Sequence, residues 1–313
     1  NGIATGVKSF GQGMVEVGDS LTQIGVLATA GGALFVKQAM DFEDGLVSVQ
    51  KTTNATSGEM KILEKDIRQL ATTMPIAHGE LTNLASIAGQ LGVKQQDLAH
   101  FTETMAMMGT ATNLSASEAS EAIARFTNVT GTGIENIDRI GSAIVDLGNH
   151  FATSEREIVD MSMNLVGTMS SLGATEAEIL AVATAMSSLG ITAERGGSSI
   201  SKFFVDMASS VNEGGDALIG FTEITGMTAE AFTDLFNTDP TQAFKAFIDG
   251  LAEIERQGGS VVQALDDFGI KEVRLRDTLL RLAQGHEVLG SALDQSNIAF
   301  QDGTALMTEY ELM

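Results

Sequence analysis

No cysteine occurs in the 313 residues. Disulfides and thiolate metal sites are therefore excluded, and redox chemistry says nothing of compartment. Proline is almost missing, at 2 residues, so few helices are interrupted. Tryptophan is absent and tyrosine occurs once, which leaves 15 phenylalanines as nearly all the aromatic content. Basic residues are scarce: 18 Lys and Arg stand against 41 Asp and Glu, for a net charge of −23. Duplex nucleic acid is also a polyanion, so binding it would need a local basic patch. The densest basic group, Lys271, Arg274, Arg276 and Arg281, falls on one expected helix, and no specific nucleic-acid binding is expected. No stretch alternates apolar and polar residues between turn signals as a strand would. The expected class is all-α: a multi-helix array of short amphipathic helical hairpins with an imperfect internal duplication and no sheet. The sequence does not begin with Met and shows no signal-peptide pattern, and we expect it to be a processed piece or a segment of something longer.

What the chain has instead is glycine and soft apolar residues. Most of its 34 glycines follow apolar periodic stretches, where a helix end needs a left-handed residue. Its 15 methionines join Ala, Leu, Ile and Phe in an expected core where few large side chains interlock and rearrangement is cheap.

The organising stretch is residues 172–204. Thr175 and Glu178 have capping-box spacing. Ile179, Val182, Met186 and Leu189 then step 3, 4, 3 along one helix face, and Gly190 follows as a stop. A second helix opens after Thr192 with Ile200, Phe203, Phe204 and Met207. Sliding the chain by 81 positions lays Leu91 on Leu172, Gly92 on Gly173, Phe101 on Val182, Met105 on Met186 and Gly109 on Gly190. Two related hairpins are thus expected, at 91–126 and 172–207, too few for a solenoid.

Three parts are expected in order. Residues 1–52 form a Gly-rich lead-in (1–20) and a long helix (21–52). Its seam of Phe35, Ala39, Phe42, Leu46 and Val49 has heptad spacing suited to a coiled-coil partner. Within it, residues 21–36 carry no charge but fall short of the ~20 residues of a membrane span. A buried or oligomer-facing helix is the preferred account, and membrane contact the alternative. Residues 53–285 form the helical core. Expected starts there include the capping boxes Ser115–Glu118 and Ser154–Glu157, Ser260 with Gln263, and the Asp239-Pro240 start. Residues 286–313 form a C-terminal helix that frays after Phe300.

Chemistry-bearing patterns are weak. His78, His100, His150 and His286 never pair at i+3 or i+4, so no metal-binding helix face exists, and each reads as a surface or helix-end residue. The carboxylate pairs Glu176/Glu178, Glu253/Glu255 and Asp266/Asp267 are what so acidic a chain produces by chance. Gly131-x-Gly133 and Gly196-Gly197-Ser198-Ser199 lack the preceding strand and the lysine of a phosphate loop. No catalytic, cofactor-binding or metal residue is assigned, no cofactor is expected, and the protein is not expected to be an enzyme.

Four segments carry a resemblance: Ala39–Glu43, LGNHFATSEREIVDM at 147–161, the unit 172–204 with its Glu194-Arg195-Gly196-Gly197 step, and FGIKEVRLRDTLLRLA at 268–283. Together, over about 35–285, the chain resembles the core of phage tail tape measure proteins. That resemblance implies a structural virion protein lying in several copies in the tail lumen. Tail-tube (major tail) protein would polymerise around it with the help of assembly chaperones, until its length sets the tail's. Tail-tip or baseplate proteins would also be partners. It implies host cytoplasm during assembly, and release ahead of the genome toward the host envelope. Fully helical, the chain would reach at most ~470 Å at ~1.5 Å per residue, and its turns shorten that, so it is expected to be a domain of a longer measure. Two other readings are carried: a membrane-active or pore-forming effector that inserts 21–36, and, less favoured, an envelope-degrading enzyme.

Overall fold

The structure, a computed structural model, describes residues 30–313, with side chains described from Met40 onward. The lead-in 1–20, the start of the expected helix 21–52 and the side chains of 21–36 lie outside the described residues, as do those of Phe35 and Ala39. Every regular element among the described residues is helical: sixteen α-helices, with short 3-10 turns, one π turn and no strand. The chain divides between Ser86 and Ile87 into two units, each described by itself.

The first unit holds α1 (Ala30–Thr53), α2 (Ser57–Thr73) and the start of α3 (His78–Gln90). Phe42 and Val49 of the heptad seam are buried, with Leu63, Ile67, Leu81 and Leu84, whereas Leu46 is half-buried. Gly45 has no room for a side chain, since a Cβ there would sit 2.1 Å from Thr82 Oγ1. One turn further on, the Ser48 and Ser86 hydroxyls bond at 2.7 Å. Thr56 and Glu59 form a capping box at the start of α2, one that sequence reading did not single out.

The second unit continues with α4 (Leu98–Ala111), α5 (Ala116–Thr130), α6 (Ile137–His150), α7 (Glu155–Ser171), α8 (Glu176–Ser188) and α9 (Ser198–Glu213). After these come α10 (Ile219–Thr225), α11 (Ala229–Thr238), α12 (Pro240–Arg256), α13 (Val261–Asp267), α14 (Val273–Gln284), α15 (His286–Asp302) and α16 (Ala305–Leu312). Helix α8 lies at the centre, packed by α6, α7, α15 and one end of α14. It does not bury a single stripe. Ile179, Leu180, Val182 and Met186 are buried, and so are Ala177, Ala181, Ala183, Thr184 and Ala185 between them, while Leu189 is only half-buried. A helix apolar all round belongs in a core, and each of those four large side chains contributes roughly 1.5–3 kcal/mol by leaving water.

The expected helix starts are present. Ser115, Ser154 and Thr175 all form complete capping boxes, and Asp239 and Ser260 cap α12 and α13. Glycine closes α7 and α8 by the same pair of bonds. At α7 the Gly173 amide donates to Ser170 C=O and the Ala174 amide to Met169 C=O; at α8 Gly190 donates to Ser187 and Ile191 to Met186. Positive φ at Gly173 and Gly190 makes this closure possible.

The duplication is less regular than the register suggests. Gly109, expected as the counterpart of the stop Gly190, sits inside α4, where a Cβ would come within 2.7 Å of the Ala116 backbone N. It is a contact glycine between α4 and α5. The second hairpin also starts its second helix differently, through a π turn at Ala193–Gly197. Gly196 and Gly197 press that turn onto Ile191 and Asn164.

Two further expectations are corrected. The end of the chain is not frayed: after Gly303, α16 turns back onto α4 and α6, Leu306 is buried, and its amide bonds Ser142 Oγ at 3.2 Å. Nor is the core uniformly soft. Phe203, Phe204, Phe221, Phe232, Phe244, Phe247 and Phe268 interlock, with ring centroids from 4.7 to 6.4 Å apart. They come from α9 to α12 and from the residue after α13, and periodicity within single helices does not show that they converge.

Candidate functional site

Three grooves in the second unit bring titratable side chains together. In the first, between α12 and α15, Lys245 donates to Asp249 at 2.5 Å, and His286 Nδ1 lies 3.3 Å from the other Asp249 oxygen. Glu253, Glu255, Arg256 and Glu287 also line it, and Arg256 Nε bonds Glu253 at 2.8 Å. The volume is about 720 Å³. It holds no Ser, Thr or Cys, and Lys245 and Arg256 face four carboxylates, Asp249, Glu253, Glu255 and Glu287, in an open groove.

The second groove lies among α4, α6 and α16. Asp138 receives His100 Nε2 at 3.2 Å and the Thr104 hydroxyl at 2.6 Å. The Asp138 hydrogen bond, with help from Glu103 and Asp97, raises the His100 pKa above its ordinary value. Partial burial pushes Asp138 up, but its bonds from His100 and Thr104 outweigh that and hold it below the usual carboxylate value. The pair ties α4 to α6 beside Leu306.

The third groove, about 490 Å³, lies between the π turn and α14. Arg195, Arg274 and Arg281 line it, with Val273, Thr192 and Asp277. Arg281 is held by Asp277 at 3.0 Å, and its Nη1 points to the Leu189 carbonyl at 3.5 Å. Arg195 and Arg274 are exposed and have no ion-pair partner among the described residues. Sequence reading noted Arg274 and Arg281 as part of a helical basic group but named Arg195 only within the Glu194-Arg195-Gly196-Gly197 step, since it lies about 80 residues from Arg274 in the chain and joins them through the turn after α8.

The other weighed residues serve the fold. His78 packs edge-on against Phe42 at 5.7 Å, and His150 bonds the Asp146 carbonyl at 2.8 Å. Glu176 accepts from Thr132, Glu253 holds Arg256, and Asp266 holds Arg276. Glu178 closes a capping box, and burial together with nearby Asp239 raises its pKa. Neither Glu178 nor Asp239 lines any of the three grooves. Gly196 and Gly197 are packed against side chains rather than left open as a cradle. Among the described residues no three His, Cys, Asp or Glu are grouped to hold a metal ion.

Sequence comparison bears on this arrangement. A family model described as phage-related minor tail protein matches residues 64–269, about two thirds of the chain. No curated protein and no solved structure matched it.

Proposed function

The chain belongs to the phage-related minor tail protein family, and from that premise we propose that it is the helical core of a tail tape measure protein. In this reading its parent lies in several copies along the tail lumen, tail-tube protein assembles around it with chaperones, and its length fixes where assembly stops. It leaves ahead of the genome through the tail tip. The observation that carries the reading is the family match over 64–269, which contains the tape-measure-like segments at 147–161 and 172–204 and stops at the start of the one at 268–283. The charge agrees with it: a chain of net −23 repels the DNA that follows it through the same conduit instead of retaining it.

The test is tail length. Deleting in frame about 50 residues of helix from the full-length protein would shorten an extended ruler by up to ~75 Å, measured on negatively stained tails. Tails of unchanged length would overturn the proposal. Among the described residues no helix is long and apolar enough to cross a membrane, and no observation there favours the membrane-active or envelope-degrading readings.

A further inference from the structure

We propose that the groove between the π turn and α14 is a docking site for an acidic segment of a partner protein, one that carries an apolar side chain beside its carboxylates. The inference stands apart from the ruler reading, since it rests on the local geometry alone.

Charge is the first ground. In a chain with 41 acidic and 18 basic residues, three guanidinium groups converge on one groove, and two of them, Arg195 and Arg274, have no ion-pair partner among the described residues. The carboxylates beside them are already engaged: Asp277 holds Arg281 at 3.0 Å, and Glu272 faces Lys202 at 3.7 Å. Glu194 does not line the groove. Arg281, anchored by Asp277 and the Leu189 carbonyl, forms a fixed wall, while Arg195 and Arg274 stay free to close on an incoming carboxylate in the forked geometry that guanidinium favours.

The apolar requirement comes from Val273. It is 80% exposed, more than any other large apolar side chain among the described residues, and it stands in the same lining. An occupant made only of carboxylates would leave it in water.

A peptide segment fits better than nucleic acid or a second copy of this chain. Beyond about 8 Å salt screens exposed charges, so a single extended segment feels chiefly the local arginines. A duplex or another −23 chain extends far beyond the groove and is repelled by the net charge of the rest of the chain.

The test uses the full 313-residue chain and a short labelled peptide in which paired glutamates alternate with single valines, followed by fluorescence anisotropy. Arg195→Ala or Arg274→Ala should each weaken binding up to about fivefold, and the double variant R195E/R274E about tenfold or more, as exposed ion pairs of up to ~1 kcal/mol each require. Lys61→Glu, an exposed charge change on α2, is the control for net charge and should alter binding by less than about twofold. Amide shifts of 190–195 and 273–281 should move on titration, and circular dichroism should show every variant folded. The proposal is overturned if the peptide does not bind or if Lys61→Glu weakens it as much as Arg274→Ala does. It is overturned equally if a labelled single-stranded oligonucleotide binds more tightly than the peptide, or if sedimentation shows the chain associating with itself through Arg274.

Discussion

Gly109 and Gly167 make a matched pair on which the packing account can be judged. Both lie inside helices, α4 and α7, and neither has positive φ. On propensity alone, Gly→Ala at either site should stabilise by about 0.5–1 kcal/mol, because alanine gives up less backbone freedom on folding. Their surroundings differ. A Cβ on Gly167 would meet nothing within 4 Å, whereas one on Gly109 would lie 2.7 Å from both the backbone N and the Cβ of Ala116 and 2.9 Å from its Cα. Those atoms belong to the first turn of α5, which the Ser115–Glu118 capping box holds in place, so they cannot rotate away. Overpacking of this kind costs about 1–3 kcal/mol, and contact with backbone puts Gly109 at the upper end. Gly109→Ala should therefore lose about 2 kcal/mol net, and Gly167→Ala should gain up to about 1 kcal/mol. At about 2–4 °C per kcal/mol for a unit of this size, calorimetry should show Tm falling by roughly 4–8 °C for the first and rising by roughly 2–4 °C for the second. A Gly109→Ala chain as stable as the parent would refute the close approach of α4 to α5 and restore Gly109 as a simple helix stop.

Three further perturbations test other contacts. Arg156 grips Glu118 through both guanidinium nitrogens, at 2.6 and 2.7 Å, and reaches the Asn113 carbonyl at 3.1 Å. The Arg156 bond, with the Ser115 bonds, holds the Glu118 pKa well below its ordinary 4.5. A depressed carboxylate stabilises above its unfolded value and loses that contribution as pH falls below it, so the Tm difference between the parent and Arg156→Ala should shrink as pH drops through 4.5; a constant difference would break the assignment. His100 shifts the other way. Its raised pKa gives stability that is fully present below 6.5 and fades as pH rises through the folded value, so His100→Gln should be most destabilising in acid and least so in mild base, and a flat urea-midpoint difference across that window would refute it. Phe221, in ring contact with Phe203, Phe232, Phe247 and Phe268, should lose about 3–5 kcal/mol on Phe221→Ala, read as a lower urea midpoint; a loss under about 1 kcal/mol would mean the cluster is not tightly packed.

Helix identity was legible because its signals are local. A Thr or Ser three residues before a Glu satisfies two orphan amides whatever lies elsewhere in the fold, and Ser115, Ser154 and Thr175 show it. Depth of burial was not legible. Reading α8 by its largest residues picked out one stripe, because alanines at 177, 181, 183 and 185 do not announce whether water or another helix faces them. Gly109 was misread for the same reason: a glycine near the end of an apolar run has one appearance whether it terminates a helix or admits a neighbour. The arginine groove depends on a turn that brings Arg195 to α14 across about 80 residues, and neither segment alone predicts it. The end of α16 was underestimated because Leu306 is buried by helices α4 and α6, which come more than 150 residues earlier in the chain.

The two halves of the second unit differ in what it takes to open them, and that bears on the ruler reading. From α9 to α13 the core is aromatic, and each ring pair adds about 0.5–1.5 kcal/mol beyond the area it buries. Around α4 to α8 it is mostly Ala, Met and aliphatic, with Phe101 and Phe126 buried there outside the ring cluster, and much of its closure comes from the last two helices. Ser296 donates to the Ala177 carbonyl at 2.7 Å, Gln295 to Asp146 at 2.6 Å, and the Leu306 amide to Ser142 at 3.2 Å. Each such bond contributes about 0.5–1.5 kcal/mol net. Any extension of the chain along a lumen must therefore lift α15 and α16 off α8, α6 and α4 before the earlier helices can separate. The aromatic half, held by interlocked rings that do not involve those two helices, would be the last part to come apart.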